Sequence, residues 1–217
     1  MPFLGGGGKY DVLLAGYFGF GNLGDELIAE SAIQNLKRCG IHDRRIAILS
    51  SDPDYSRKRL GVDAYGRWSL SSVVSALRRS RSLVFPGGGL FQDSTSARSC
   101  VYYWGLVAIA GMLSVPAVFL GQSVGPLNGG FPRFLTRRSF LACSYAAVRD
   151  SASMRVLEEM GVRCELMPDP VMSLEMPECA GTSVLINLRR APRTPQSAEA
   201  VSSAARSCFE EGIPMTG

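Results

Sequence analysis

Short apolar runs, each followed by a turn and then a stretch of helical spacing, recur along this chain and limit the folds open to it. Tyr10–Ala15 reads as a first strand that runs into a glycine-rich turn. Asp25–Arg38 then reads as a helix, with Ile28, Ala32 and Leu36 on one face and Gly40 as its terminator. Arg45–Leu49, Ser82–Phe85, Ala117–Leu120 and Tyr145–Val148 are further expected strands. Leu70–Arg79, the uncharged stretch after Arg98, Pro132–Leu141 and Ser151–Met160 are expected helices. Strands that alternate with helices pair in parallel through right-handed crossovers. The expected fold is therefore α/β, a doubly wound, mostly parallel, Rossmann-like sheet.

Residues 1–9, with Gly5–Gly8, read as a flexible lead-in, and residues 10–180 as the Rossmann-like N-terminal domain. After Met167-Pro168-Asp169-Pro170 the composition loosens, and Pro177, Gly181 and Thr182 resemble a linker. Ser183–Asn187 then reads as a strand and Ser197–Glu211 as a helix, opening a second α/β domain over 181–217 that Gly217 leaves incomplete. On this reading the chain is a truncated piece with its first domain whole. The alternative is that this last strand–helix unit completes the first sheet.

Composition removes several classes. With 46% apolar and 19% charged residues the chain is too hydrophobic to remain disordered. A net charge of +4 without any Lys/Arg tract gives no reason to expect a nucleic-acid partner. Only Lys9, Lys37 and Lys58 are lysines and the other twenty basic residues are arginines, which suit bidentate recognition of anions as well as a solvated surface. Six cysteines stand singly and His42 is the one histidine, so no zinc site is expected. The start of the chain lacks a basic-then-apolar signal, which places reduced thiols in a cytoplasmic protein. Cys100–Gly121 is uncharged and long enough to cross a bilayer, but Ser114-Val115-Pro116 breaks it into a buried helix and a strand.

In an open parallel sheet, ligands bind beyond the carboxyl ends of the strands, and four unusual segments fall there. Gly16–Glu26 carries Gly19, Gly21 and Gly24 at the spacing of a dinucleotide fingerprint. Yet Tyr17, Phe18 and Phe20 interleave these glycines, and Asp25 would repel a pyrophosphate. Asp25 reads either as a helix N-cap or as a catalytic carboxylate facing the cleft. Pro86-Gly87-Gly88-Gly89-Leu90-Phe91-Gln92-Asp93 has more glycine than a turn requires, and its amides could point at an anion. Gly121-Gln122-Ser123-Val124-Gly125-Pro126 reads as a glycine-flanked turn. In Val148-Arg149-Asp150-Ser151, Asp150 or Ser151 caps a helix, and Arg149 is either paired internally or a clamp for a substrate anion. His42 reads as an exposed turn residue, and Tyr102, Tyr103 and Trp104 read as core.

Taken in order, G-Y-F-G-F-G-N-L-G-D-E (Gly16–Glu26), F-P-G-G-G-L-F-Q-D (Phe85–Asp93), G-Q-S-V-G-P-L (Gly121–Leu127) and V-R-D-S (Val148–Ser151) resemble the polysaccharide pyruvyl transferase family, its CsaB-type members most closely. The resemblance runs from about Tyr10 to Pro170. It implies two Rossmann-like domains in a GT-B-like arrangement. It also implies transfer of a pyruvyl group from phosphoenolpyruvate, the donor substrate, to two hydroxyls of a sugar, with no separate cofactor. The implied acceptor is a cell-wall glycan or lipid-linked oligosaccharide at the cytoplasmic face of the membrane, with a product that helps to anchor S-layer proteins.

On the same resemblance Asp25 and Arg149 match the catalytic carboxylate and anion clamp. Gly21, Asn22, Gly24, Gly87, Gly88, Gly89, Gln92, Asp93, Gly121, Gln122 and Arg189 match substrate-binding positions. Family members carry an arginine-x-histidine motif late in their second domain that this chain does not reach. The chain is thus expected to hold the acceptor half and to be inactive alone. Competing readings are a GT-B glycosyltransferase using a nucleotide-sugar and a non-catalytic module for anionic glycan, with a nicotinamide dehydrogenase more distant.

Overall fold

A computed structural model of the chain describes residues 8–93 and 97–175, together with Ser203 and Arg206. The chain divides into two compact units, Met1–Leu174 and Glu175–Gly217. In the second, Ser203 and Arg206 are helical and exposed. The strand expected at Ser183–Asn187, Arg189, Cys179 and Cys208 lie outside the described residues.

The first unit is one parallel sheet. Its strands are β1 (Val12–Leu14), β2 (Ile46–Ser50), β3 (Asp63–Gly66), β4 (Leu83–Phe85), β5 (Gly88–Phe91), β6 (Ala117–Val124), β7 (Tyr145–Val148) and β8 (Glu165–Leu166). They lie in the order β3-β2-β1-β4-β6-β7-β8, and β5 pairs with β6 alone. Every ladder is parallel. The direction of winding reverses between β1 and β4, which opens a crevice at the carboxyl edge there.

Alternate strand residues face opposite sides. Leu13, Ala47, Leu83 and Phe119 pack with Val73, Leu77, Leu106, Phe140 and Leu157 from α3 (Leu70–Arg78), α4 (Arg98–Met112), α5 (Gly130–Ala142) and α6 (Ser151–Glu159). Val12, Leu14, Ile46 and Ile48 pack instead with Ile28, Ala32 and Ile33 of α1 (Leu23–Arg38). Burial on both faces explains why these strands read as continuous apolar runs.

The expected α/β sheet is therefore present, with differences that have physical causes. Residues 53–66 carry no apolar period that announces an element, yet they form α2 (Pro53–Leu60) and β3. Asp52 caps α2 by accepting from the Tyr55 amide, and Gly61 closes it in the left-handed region at φ 69°. Its one buried residue is Ser56, so no apolar period marks it. Strand β3 lies at the sheet edge and buries Ala64 alone of its four residues, which leaves no alternation to detect. Gly88–Phe91 is strand rather than a curled loop, because Gly88 pairs with Gln122 and Phe91 with Val124.

Likewise Gly121–Val124 continues β6 instead of turning. Gly121 sits at φ 56°, and the ladder to β7 shifts register between Phe119 and Gln122. This bulge lets the strand pass close to Pro170 and resume pairing at Gln122. The apolar run after Arg98 breaks at Ser114, φ 56°, into α4 and β6. Among the described residues, no helix is long and apolar enough to cross a membrane.

A side chain at Gly121 would meet Pro170 Cδ at 2.6 Å in addition to the unfavourable φ, whereas one at Gly105, inside α4, would meet nothing within 4 Å. Gly121→Ala should lower the urea stability by more than about 2 kcal/mol, from the left-handed backbone and the overlap. Gly105→Ala should leave it unchanged or raise it by about 0.5–1 kcal/mol, through the better helix propensity of alanine. Equal effects from the two would show that the contact with Pro170 is not the constraint.

Candidate active site

The crevice gathers the four segments singled out above. Helix α1 begins at Leu23, and its N-cap is Asn22, whose Oδ1 accepts from the Gly24 amide at 3.2 Å. Asp25 is therefore not the cap: it lies in the first turn, half-buried, with its side chain left over for the crevice. The Cβ position at Gly88 is 3.5 Å from Asp25 Oδ1, so β5 passes directly across the carboxylate. Gln122 joins next, paired with Gly88 and, on its other side, with Val148. The Arg149 amide donates to the Gln122 carbonyl at 3.1 Å.

Burial drives the pKa of Asp25 up to about 6, and the neighbouring Glu26 adds to this; the charges of Arg149 and Arg67 oppose it. Glu26 is 2% exposed, and its Oε1 accepts from the Gly19 amide at 2.8 Å. Glu26 thereby occupies an amide that a phosphate-binding glycine loop would turn toward its ligand. The Gly19–Gly24 spacing here encodes a loop folded onto its own helix, which argues against a dinucleotide seat. Three buried polar atoms at this end of the sheet have no partner: Glu26 Oε2, Gln122 Oε1 and Arg67 Nε. A functional crevice is one place where such unmet polar groups are expected.

Arg149 is held from two sides. Its Nε donates to Ser123 Oγ at 2.6 Å and its Nη1 to Asp169 Oδ2 at 2.5 Å, while Ser123 Oγ donates on to Asp150 at 2.9 Å. Of the two readings left open for Arg149, the internal pair is the one present. Asp150 caps α6 through the Ser153 amide. Asp93 accepts from the Asn128 and Gly129 amides at 2.8 Å and 2.7 Å, contacts that hold its pKa below the usual carboxylate range. It fastens the approach to α5. Gly21, Asn22 and Gly24 are exposed on the loop above α1, and Gly87 packs against Ile28 and Pro170. Gly89 lies within β5 and Gln92 directly follows it, and Arg189 lies outside the described residues.

Sequence reasoning missed Arg67 and Glu26. Arg67 follows β3, is 4% exposed, and has no ion-pair partner among the described residues. Its Nη1 donates to the Gly16 carbonyl at 2.7 Å. The rings of Tyr17, Phe20, Trp68, Tyr102 and Tyr103 surround it, with centroids 4.4–5.8 Å from Cζ. The available signal was the Arg67-Trp68 pair directly after an unrecognised edge strand.

A separate cavity of about 590 Å³ lies on the α1 face of the sheet, lined mainly by apolar groups such as Leu14, Val84, Leu120 and Met167. Asp25 and Arg149 do not line it. Among the described residues, no group of three His, Cys, Asp or Glu side chains could hold a metal ion. His42 is exposed beside a 3-10 turn, and Cys39, Cys100, Cys143 and Cys164 are free thiols.

Strand order, the reversal between β1 and β4, and a half-buried carboxylate in the resulting crevice define a Rossmann-like α/β protein with an open crevice at its carboxyl edge. The family model of the polysaccharide pyruvyl transferases matches residues 22–201, most of the chain, from the cap of α1 onward. The chain belongs to the polysaccharide pyruvyl transferase family. A comparison with functionally curated proteins finds no match. Among solved structures, Citrobacter sp. triphenylmethane reductase is similar at 16% identity and a TM-score of 0.41, over 70% of this chain. This chain spans 46% of the length of that protein.

A carbon-13 NMR titration of Asp25 should give a midpoint near 6. In Glu26→Gln the midpoint should fall, because a neighbouring negative charge is removed. Since the folded-state value lies above the ordinary one, ionised Asp25 destabilises the fold. Asp25→Asn should therefore raise stability at pH 7 by ~1–2 kcal/mol, with the gain shrinking as pH falls from about 6 toward 4. An ordinary carboxyl midpoint and an unchanged stability would refute this account of the site.

Proposed function

We propose that the protein transfers the pyruvyl group of phosphoenolpyruvate to a sugar of a cell-wall glycan, with Asp25 as the base for the acceptor hydroxyl. The observation that carries this reading is a carboxylate in the crevice, in a chain of this family, whose burial brings its pKa to about 6. A base with that midpoint is ionised near neutral pH and still accepts a proton readily.

A general acid distinct from Asp25 adds a proton to C3 of phosphoenolpyruvate and makes C2 electrophilic, and one sugar hydroxyl forms a bond to C2 as ionised Asp25 takes its proton. Asp25 then passes that proton to solvent, from which the acid is reprotonated, so the count of protons closes. The second hydroxyl then forms the other C2–O bond while the bond from C2 to the phosphate oxygen breaks, and its proton leaves with the phosphate. The products are a cyclic ketal and inorganic phosphate. Arg149, steadied by Asp169 and Ser123, offsets the charge on Asp25 and brings positive potential to a crevice that must receive a phosphate and a carboxylate. We place the acceptor on this first unit. The resemblance of its motifs to CsaB-type members supports a lipid-linked acceptor at the cytoplasmic side of the membrane.

The test uses the protein as isolated from its source, supplied with phosphoenolpyruvate and the lipid-linked cell-wall glycan precursor extracted from the same cells. Phosphate release should accompany a ketal methyl signal on the glycan. Asp25→Asn should reduce the rate on the order of 100-fold or more, as for loss of a general base. The rate should fall as pH drops through about 6, where Asp25 gains its proton, and Glu26→Gln should move that limb to lower pH. Full activity in Asp25→Asn, or no ketal from the wild-type protein, would overturn the proposal.

A further inference from the structure

The rings that enclose Arg67 also present an outer surface. Tyr17, Phe20 and Trp68 are 43%, 37% and 68% exposed, although the guanidinium they cover is almost wholly buried. Tyr17 and Phe20 are stacked, with centroids 3.9 Å apart and planes at 6°, and Phe20 meets Trp68 edge-on at 6.3 Å. Large aromatic faces left in water at the carboxyl edge of a parallel sheet are costly unless something uses them. The ledge is also fixed in place. Arg67 holds the rings from below while its Nη1 grips the Gly16 carbonyl, and the Trp68 indole N–H donates to Ser51 Oγ at 3.2 Å. Rings already immobilised lose little further freedom when a ligand stacks on them.

The ledge belongs to the same crevice as Asp25. The Tyr17–Phe20 loop is tied to α1 through the Gly19 amide and Glu26, the residue next to Asp25, and Arg67 acts electrostatically on Asp25 itself. Flat aromatic faces with a carboxylate to one side suit a pyranose ring. The C–H face of the sugar lies on the rings, and its hydroxyls project sideways toward hydrogen-bond partners. We propose that the outer surface of the Tyr17–Phe20 stack and the exposed face of Trp68 form the stacking subsite that receives a neutral pyranose ring of the acceptor glycan beside Asp25. The inference rests on the glycan-acceptor reading above but requires no phosphoenolpyruvate and no turnover.

Trp68 and Trp104 are the chain's two tryptophans, so Trp104→Phe leaves Trp68 as the sole indole reporter. The probes are chitotriose, mannotriose and maltotriose, titrated at millimolar concentration, with adenosine and uridine in parallel. At least one trisaccharide should shift Trp68 emission saturably. Its affinity should fall about tenfold in Phe20→Ala, which takes one of the two rings out of the Tyr17–Phe20 stack. It should be unchanged in Phe134→Ala, an exposed ring on α5. Trp68→Leu, which keeps apolar bulk without the flat face, should weaken saturation-transfer NMR signals from the same sugar to a similar degree.

Sugar binding by NMR with unmoved Trp68 emission and full affinity in Phe20→Ala would overturn the subsite while leaving the acceptor reading intact. Absence of any binding by the three trisaccharides, or a Trp68 response to the nucleosides alone, would also overturn it. Pyruvyl transfer stands or falls by its own assay.

Discussion

A guanidinium taken out of water, with no carboxylate paired to it among the described residues, must be held by other means, and the carboxyl edge of this sheet is arranged around that requirement. Arg67 spends one hydrogen bond on the end of β1 through the Gly16 carbonyl. It lies at the end of β3, with its backbone amide on the Ser50 carbonyl of β2. Five rings from the glycine loop, from residue 68 and from α4 supply the rest of its surroundings. Cation–π contacts recover roughly 0.5–2 kcal/mol each when desolvated, enough in combination to offset a burial cost of several kcal/mol. Loop, sheet edge and α4 are thereby fixed to one point, and the positive charge remains available to act on the crevice.

Charge in the crevice is divided between groups that are satisfied and groups that are not. Asp93, Asp150 and Asp169 are each engaged by amides, a hydroxyl or a guanidinium, and they serve to shape the loops. Asp25 and Glu26 differ. Glu26 gives one oxygen to the loop and buries the other without a partner, while Asp25 is raised by its neighbour and by its own burial. Adjacent acidic residues in the first turn of a helix are ordinary in terms of the helix dipole. The sheet edge passing over them turns one of the two into a titrating group near neutrality.

Much of the first unit was legible in its sequence, because strands buried on both faces are nearly pure apolar runs and their helices carry clear periodicity. Val12–Leu14, Ile46–Ser50 and Tyr145–Val148 were recognisable on that ground. Polar α2 and edge strand β3 carry neither signal, and with them went Arg67 and Trp68. Asp25 stayed ambiguous between cap and crevice because Asn22, three residues earlier, satisfies the same helix end. The partner of Arg149 is Asp169, twenty residues away and brought back by the return from β8, which local pattern does not disclose. Gly121 and Gly88 looked like loop residues because glycine reports where backbone is unusual. It does not report that the unusual backbone here lies within a ladder.

That ladder has one further consequence. Strand β1 ends at Leu14, paired with Val84, while β5 and β6 continue together to Phe91 and Val124. The sheet is thus stepped, and above the step β5 has a neighbouring strand on one side only among the described residues. Its other flank is an interior selvedge held by side chains instead of a second ladder, as where Ser99 Oγ donates to the Leu90 carbonyl at 2.7 Å. The step thus makes the first turn of α4 part of what keeps β5 laid across Asp25, and a change at Ser99 would be felt on the far side of the strand.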